Sequence, residues 1–152
     1  DPSKIEAIWK SIKEKEQKIQ LKGPPPGPPL MTAFKLGKIA NELDFDWEEI
    51  QQVLYKVEEE WQELKEELAA SKLSQERIKE ELGDFLFSAA QLARHLEIDP
   101  EDALRQANKK FINRFNSMDS LIKEDSKQVS DMNQTEMDVY WNKAKKKEKG
   151  YQ

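Results

Sequence analysis

Two acidic pairs stand out first. Glu60 and Glu63 lie three apart in KVEEEWQEL, residues 56–64, and Glu81 and Asp84 lie three apart in ELGD, residues 81–84. Helical residues three apart are surface neighbours, so each pair sets two carboxylates side by side. Positions 53, 57, 60 and 64 step by four, three, four, the interval of a buried seam, and Glu60 occupies a place where that seam wants hydrocarbon. The second pair belongs to a polar seam of Arg77, Glu81, Asp84, Ser88, Gln91 and His95. Between its members sits Gly83, which costs a helix interior about 1 kcal/mol relative to alanine and implies the close approach of a backbone or a ligand. Four facing carboxylates in a low dielectric raise one another's pKa unless cations come between them. The chemistry suited to such a cage is a hard divalent ion with oxygen ligands, Mg²⁺ or Mn²⁺. The Glu-x-x-His of di-iron bundles is missing, which favours the hard ion. The competing reading is a solvated acidic face, and spacing alone leaves both open. Glu58, Glu66, Glu67 and Glu80 read as surface charge.

Helices must position these groups. Residues 1–20 carry Pro2 in a first turn and a stripe of Ile5, Ile8, Trp9 and Ile12. The following LKGPPPGPP has five prolines and two glycines in nine residues and cannot continue a helix. A second helix is predicted over residues 30–42. Asp46 with Glu49 three residues on reads as a capping box opening a third helix that runs to about Ala70. Its stripe is Ile50, Val53, Leu54, Val57, Trp61, Leu64 and Leu68. Ser74 caps a fourth helix to about Leu96, with the stripe Ile78, Leu82, Phe85, Leu86, Ala89, Leu92 and Leu96. The short connection makes these two helices antiparallel neighbours and sets Glu60 and Glu63 opposite Glu81 and Asp84. Asp99-Pro100-Glu101-Asp102 opens a fifth helix to about Phe115. Residues 117–134 read as a polar loop, and a last helix starts near Thr135. No strand is expected. The chain thus divides into an N-terminal helix (1–22), a Pro/Gly linker (23–29) and a helical domain (30–148).

Trp9 and Lys13 repeat the spacing of Trp141 and Lys145 in similar Lys/Glu-rich helices. Either amphipathic helices simply look alike, or the first helix is the tail of a related domain in a longer protein.

Composition narrows the chemistry. The 152 residues suffice for one core, and the net charge is −5 with 36% charged residues. Zero cysteines exclude disulfides and thiolate metal sites, and a single histidine argues against a His-rich centre. No apolar run approaches a membrane span, and the whole fits a cytoplasmic protein. A net negative chain is a poor prior for nucleic-acid binding, although Lys143–Lys149 is a short basic cluster.

The series of motifs resembles the MazG family of all-α nucleoside triphosphate pyrophosphohydrolases. It runs through Leu30-Met31-x-Ala33-x-Lys35-Leu36, then Phe45-Asp46-Trp47, then Lys56-Val57-x-Glu59-Glu60-x-x-Glu63. Glu81-Leu82-Gly83-Asp84-x-Leu86-Phe87, Leu92-Ala93-Arg94-His95-Leu96, Ala107-Asn108-x-Lys110-Phe111, Arg114-Phe115 and Trp141-x-x-x-Lys145 complete it. Two departures stand out: Asp44 takes the place of the usual glycine before Phe45, and GPPPGPP replaces the usual proline-and-leucine segment. The resemblance implies a helical bundle hydrolysing NTP to NMP and diphosphate, with Mg²⁺ (or Mn²⁺) on Glu60, Glu63, Glu81 and Asp84. It implies Glu59 or Glu60 as the group that orients or deprotonates water. Lys110 and Arg114 are expected on the phosphates, aided by Lys56 and by Arg77, which stands where lysine is frequent. Trp141 and Lys145 are expected on the nucleotide. His95 reads as a hydrogen-bonded structural residue, and Trp47, Trp61, Phe85 and Phe87 as core or interface. A second apolar flank beside the acid pairs points to a homodimer or higher homo-oligomer. The competing function is a non-catalytic dimerisation or regulatory module.

Overall fold

The structure is a computed structural model that describes residues 1–18, 21 and 23–150, all helix and connecting loop. The expected helix at residues 19–20 and the side chain of Lys13 lie outside the described residues. Two compact units make up the chain, Asp1–Glu101 and Asp102–Gln152.

The first unit carries α1 (Pro2–Lys18), α2 (Pro29–Glu42), α3 (Ile50–Leu68), α4 (Gln75–His95) and the start of α5 (Pro100–Glu124). Helix α1 exposes its whole stripe of Ile5, Ile8, Trp9 and Ile12. Helix α2 begins with Pro29, whose missing N–H costs nothing in a first turn. The Thr32 hydroxyl donates to the Pro25 carbonyl at 3.2 Å and ties the proline segment to this turn.

The start of α3 corrects the expected cap. Glu49 is the N-cap, and Gln52 Oε1 accepts from the Glu48 and Glu49 amides at 3.0 Å each. Asp46 is taken by long-range partners instead: Arg94 binds it through two nitrogens at 2.7 Å each, and His95 Nε2 lies 3.0 Å away. Two charge-assisted guanidinium bonds across the fold outweigh the single amide bond of a cap. Asp44 adopts φ 63°, the left-handed region that favours glycine and that aspartate tolerates, so its departure from the family pattern fits the turn. Ser74 caps α4 as expected, its Oγ accepting from the Arg77 amide at 3.4 Å.

Helix α4 packs on both α2 and α3. Its buried face is Ser88, Ala90 and Gln91 rather than the expected stripe, of which Leu82, Leu86 and Leu96 are exposed. Gln91 donates from Nε2 to the Ala33 carbonyl at 2.7 Å, and Arg94 Nε donates to Gln91 Oε1 at 2.9 Å. The clamp lies against Gly37, where an added Cβ would stand 1.7 Å from Gln91 Oε1. Gly37 is the close-approach glycine; Gly83, expected in that role, has nothing within 4 Å of an added Cβ.

In the second unit α5 runs on to Glu124, and α6 spans Gln134–Glu148 behind a 3₁₀ turn at Val129–Asp131. This overturns the loop expected over 117–134 for residues 117–124, while 125–133 form a turn and the 3₁₀ element. Met118 and Ile122 are buried in that stretch and pack with Tyr140 and Ala144, with Leu121 partly buried against them. Asn133 caps α6 through its Oδ1, which accepts from the Glu136 amide at 2.8 Å.

Candidate metal centre and anion site

The antiparallel turn between α3 and α4 brings three of the four expected carboxylates together. One oxygen from each of Glu60, Glu63 and Glu81 lies within 4.8 Å of the others. Trp61 and Phe85, with ring centroids 5.6 Å apart, pack beside the cluster, and Arg77 pairs with Glu67 at 3.3 Å across the same two helices. Asp84 falls outside the three-residue group and is exposed, but its charge acts on Glu81. Glu60 is buried, as its seam position required.

Electrostatics marks this cluster as short of cations. The Glu63 carboxyl is raised above its ordinary pKa, first by the charge of Glu60 and then by desolvation and Glu81. Glu81 is raised by desolvation and then by the charges of Asp84 and Glu60. Lys56 supplies partial relief, its ammonium 2.9 Å from Glu60 Oε1 and 3.8 Å from Glu59, and its own pKa rises through that bond to Glu60. Glu60 Oε2 and Glu81 Oε2 remain buried with no hydrogen-bond partner. Two orphaned carboxylate oxygens in an all-oxygen donor set fit a hard divalent ion.

The remaining expected residues divide. Glu59 is half-exposed, with Lys56 as its loose partner. Arg77 is exposed and engaged by Glu67, one turn from the cluster. Lys110, Arg114, Trp141 and Lys145 belong to the second unit. There Arg114 lies 5.3 Å from the Trp141 ring centroid, and Phe111 packs on the same ring at 5.4 Å. Arg114 also holds Glu148: Nε donates to both carboxylate oxygens at 3.2 Å and a terminal nitrogen to Oε2 at 2.8 Å. Glu148 has no partner spacing in the sequence, since Arg114 stands 34 positions away, and the sequence reading passed over it. The Asp46–Arg94–Gln91 clamp escaped for the same reason; the polar seam through Gln91 and His95 was its one visible sign.

Residues 48–118 match the MazG nucleotide pyrophosphohydrolase domain. This segment belongs to the MazG family. The MazG match contains both acid pairs, Lys56, Arg77, Lys110 and Arg114, and stops short of Trp141 and Lys145. The chain is 39% identical over 118 residues to the nucleoside triphosphate pyrophosphohydrolase/pyrophosphatase MazG of Thermotoga maritima, covering 78% of this chain and 44% of that protein. It is 34% identical over 152 residues to the nucleoside triphosphate pyrophosphohydrolase of Escherichia coli K12, covering 96% of this chain and 58% of the relative. Over 67 residues it is 40% identical to the uncharacterized protein YabN of Bacillus subtilis, 44% of this chain and 14% of that one. The chain thus spans about half the length of the two pyrophosphohydrolases it matches. Among the described residues no helix is long and apolar enough to cross a membrane.

Proposed function

We propose that the chain is a Mg²⁺-dependent nucleoside triphosphate pyrophosphohydrolase, converting NTP and water to NMP and diphosphate, as the names of its pyrophosphohydrolase relatives imply. The observation that carries this is the Glu60–Glu63–Glu81 cluster with its two orphaned buried oxygens, set inside the MazG segment.

Glu60, Glu63, Glu81 and Asp84 hold the ion, Mn²⁺ being the natural substitute. When bound, it supplies the positive charge without which a triphosphate cannot enter an acidic groove. The chain's residues do the rest. Water oxygen attacks the α-phosphorus, the bond from that phosphorus to the bridging oxygen breaks, and diphosphate leaves. The proton lost by water passes to a carboxylate. Burial and the tight Lys56 pair favour Glu60 as a ligand and leave the half-exposed Glu59 as the base. Lys110, Arg114 and Lys145 neutralise phosphate charge, and Trp141 stacks a base without reading its identity. Lys56 and Arg77 shape the charge around the acidic groups. The working unit is a homodimer whose apolar seam is the exposed face of α3 and α4, with residues 30–148 as the catalytic domain. It acts in the cytoplasm on the nucleotide pool.

Diphosphate release from a panel of triphosphates, with and without Mg²⁺, tests the reaction. Glu63→Gln and Asp84→Asn are each expected to lower turnover by more than about 100-fold while helical circular dichroism is unchanged. Full activity in either variant removes that residue from the metal set.

A further inference from the structure

Glu148 is the last residue of α6, where the helix dipole disfavours an acid and lysines 145–147 fill the preceding turn. A carboxylate in that place needs another reason, and Arg114 supplies it. Two guanidinium nitrogens embrace both Glu148 oxygens, and the Arg114 side chain is only 14% exposed. Lys110 and Lys145 also act on this carboxylate and, after the Arg114 bond and Arg114's charge, help hold Glu148 below the ordinary carboxylate range. Glu148 further lines a shallow recess with Gln106, Lys109, Lys110 and Asn113. Arg114 thus clasps a single planar anion while lying against the Trp141 indole, with Lys110 and Lys145 adding positive charge, an arrangement equally suited to phosphate oxygens.

We propose that Glu148 is an internal competitor for phosphate: its carboxylate occupies the anion position of Arg114, and a polyphosphate ligand binds this unit by displacing it. The inference rests on the reading that Arg114 takes substrate phosphates, and it adds a residue that sets how strongly a ligand must bind there. No bond is made or broken in the exchange. The Glu148 side chain swings to solvent from a helix end, which costs little backbone rearrangement, and the guanidinium passes from carboxylate to phosphate. Removing the competitor's charge while keeping its shape therefore tightens binding.

Tripolyphosphate titrated calorimetrically into the whole chain in EDTA reads this exchange with the acidic cluster silenced. Glu148→Gln is expected to bind about tenfold more tightly than the parent, the scale of one charge-assisted bond. Asp138→Asn removes the same charge from the same helix, at a residue bonded to Gln134 rather than Arg114. It is expected to bind within about twofold of the parent, the scale of a screened exposed charge. Arg114→Ala is expected to lose both the binding and the gain from Glu148→Gln. Equal affinities for Glu148→Gln and the parent, an equal gain from Asp138→Asn, or no binding by either Glu148→Gln or the parent overturns the proposal. Absence of Mg²⁺-dependent hydrolysis in the parent would instead strike the proposed function, because the titration contains no divalent ion and no nucleotide.

Discussion

At Gly37 a single hydrogen decides how closely α2 approaches α4. The Gln91 amide and Arg94 fill the space that a methyl group would take, and Gln91 is 1% exposed, so it has nowhere to retreat. Gly37→Ala is expected to cost about 2 kcal/mol in urea denaturation, the scale of overpacking a filled site. An unchanged midpoint would show that the clamp yields freely. Residues of this kind were poorly legible in the sequence. Glu60 was readable because its neighbours at 53, 57 and 64 define the seam it interrupts. Asp46 was misread as a cap because an aspartate before a helix has a strong local meaning, while its partners Arg94 and His95 lie 48 and 49 positions away. A separation of 34 positions likewise hid Glu148 from Arg114.

Elements bring like charges together, and the α3–α4 pair stores the consequence. Glu63 and Glu81 have raised pKa values in the fold, above the ordinary 4.5. Between the ordinary and the raised value the folded chain holds more protons than the unfolded one, so stability falls as pH rises through that window. Glu81→Gln removes one of the charges. Thermal unfolding in EDTA is expected to show a melting temperature for the parent that declines as pH rises above the ordinary glutamate value, and a flatter profile for Glu81→Gln. Added Mg²⁺ is expected to restore the parent at neutral pH and to help the variant less. Identical profiles would place the carboxylates too far apart to matter. The extent of α5 shows the limit of pattern reading at this scale. Asn116, Asp119, Ser120 and Lys123 make the stretch polar, and the stripe of Met118, Leu121 and Ile122 is narrow because it meets one partner helix. A window that averages polarity sees a loop; the i, i+3, i+4 spacing was there to be read.

For the whole molecule, the all-helical class and the order of helices followed from periodicity and turn chemistry, whereas the covered side of α4 did not. A stripe drawn on one helix says which residues are apolar, and only the neighbours decide whether they are covered. Leu82, Leu86 and Phe87 on α4 and Trp61 and Leu68 on α3 stand between 44% and 51% exposed in the single chain. For the proposed homodimer this face is the seam, and Leu86→Glu is expected to shift the chain from dimer to monomer in sedimentation velocity, with helicity retained. A parent that already sediments as a monomer at tens of micromolar would end that assignment. The polar clamp bears on the molecule in another way. A joint between helices made of oily side chains tolerates gradual drift, each swap compensated by slight sliding. The joint of Gly37, Gln91, Arg94 and Asp46 has no such slack, because altering any one of the four leaves a filled space overcrowded or a hydrogen-bonding group without its mate.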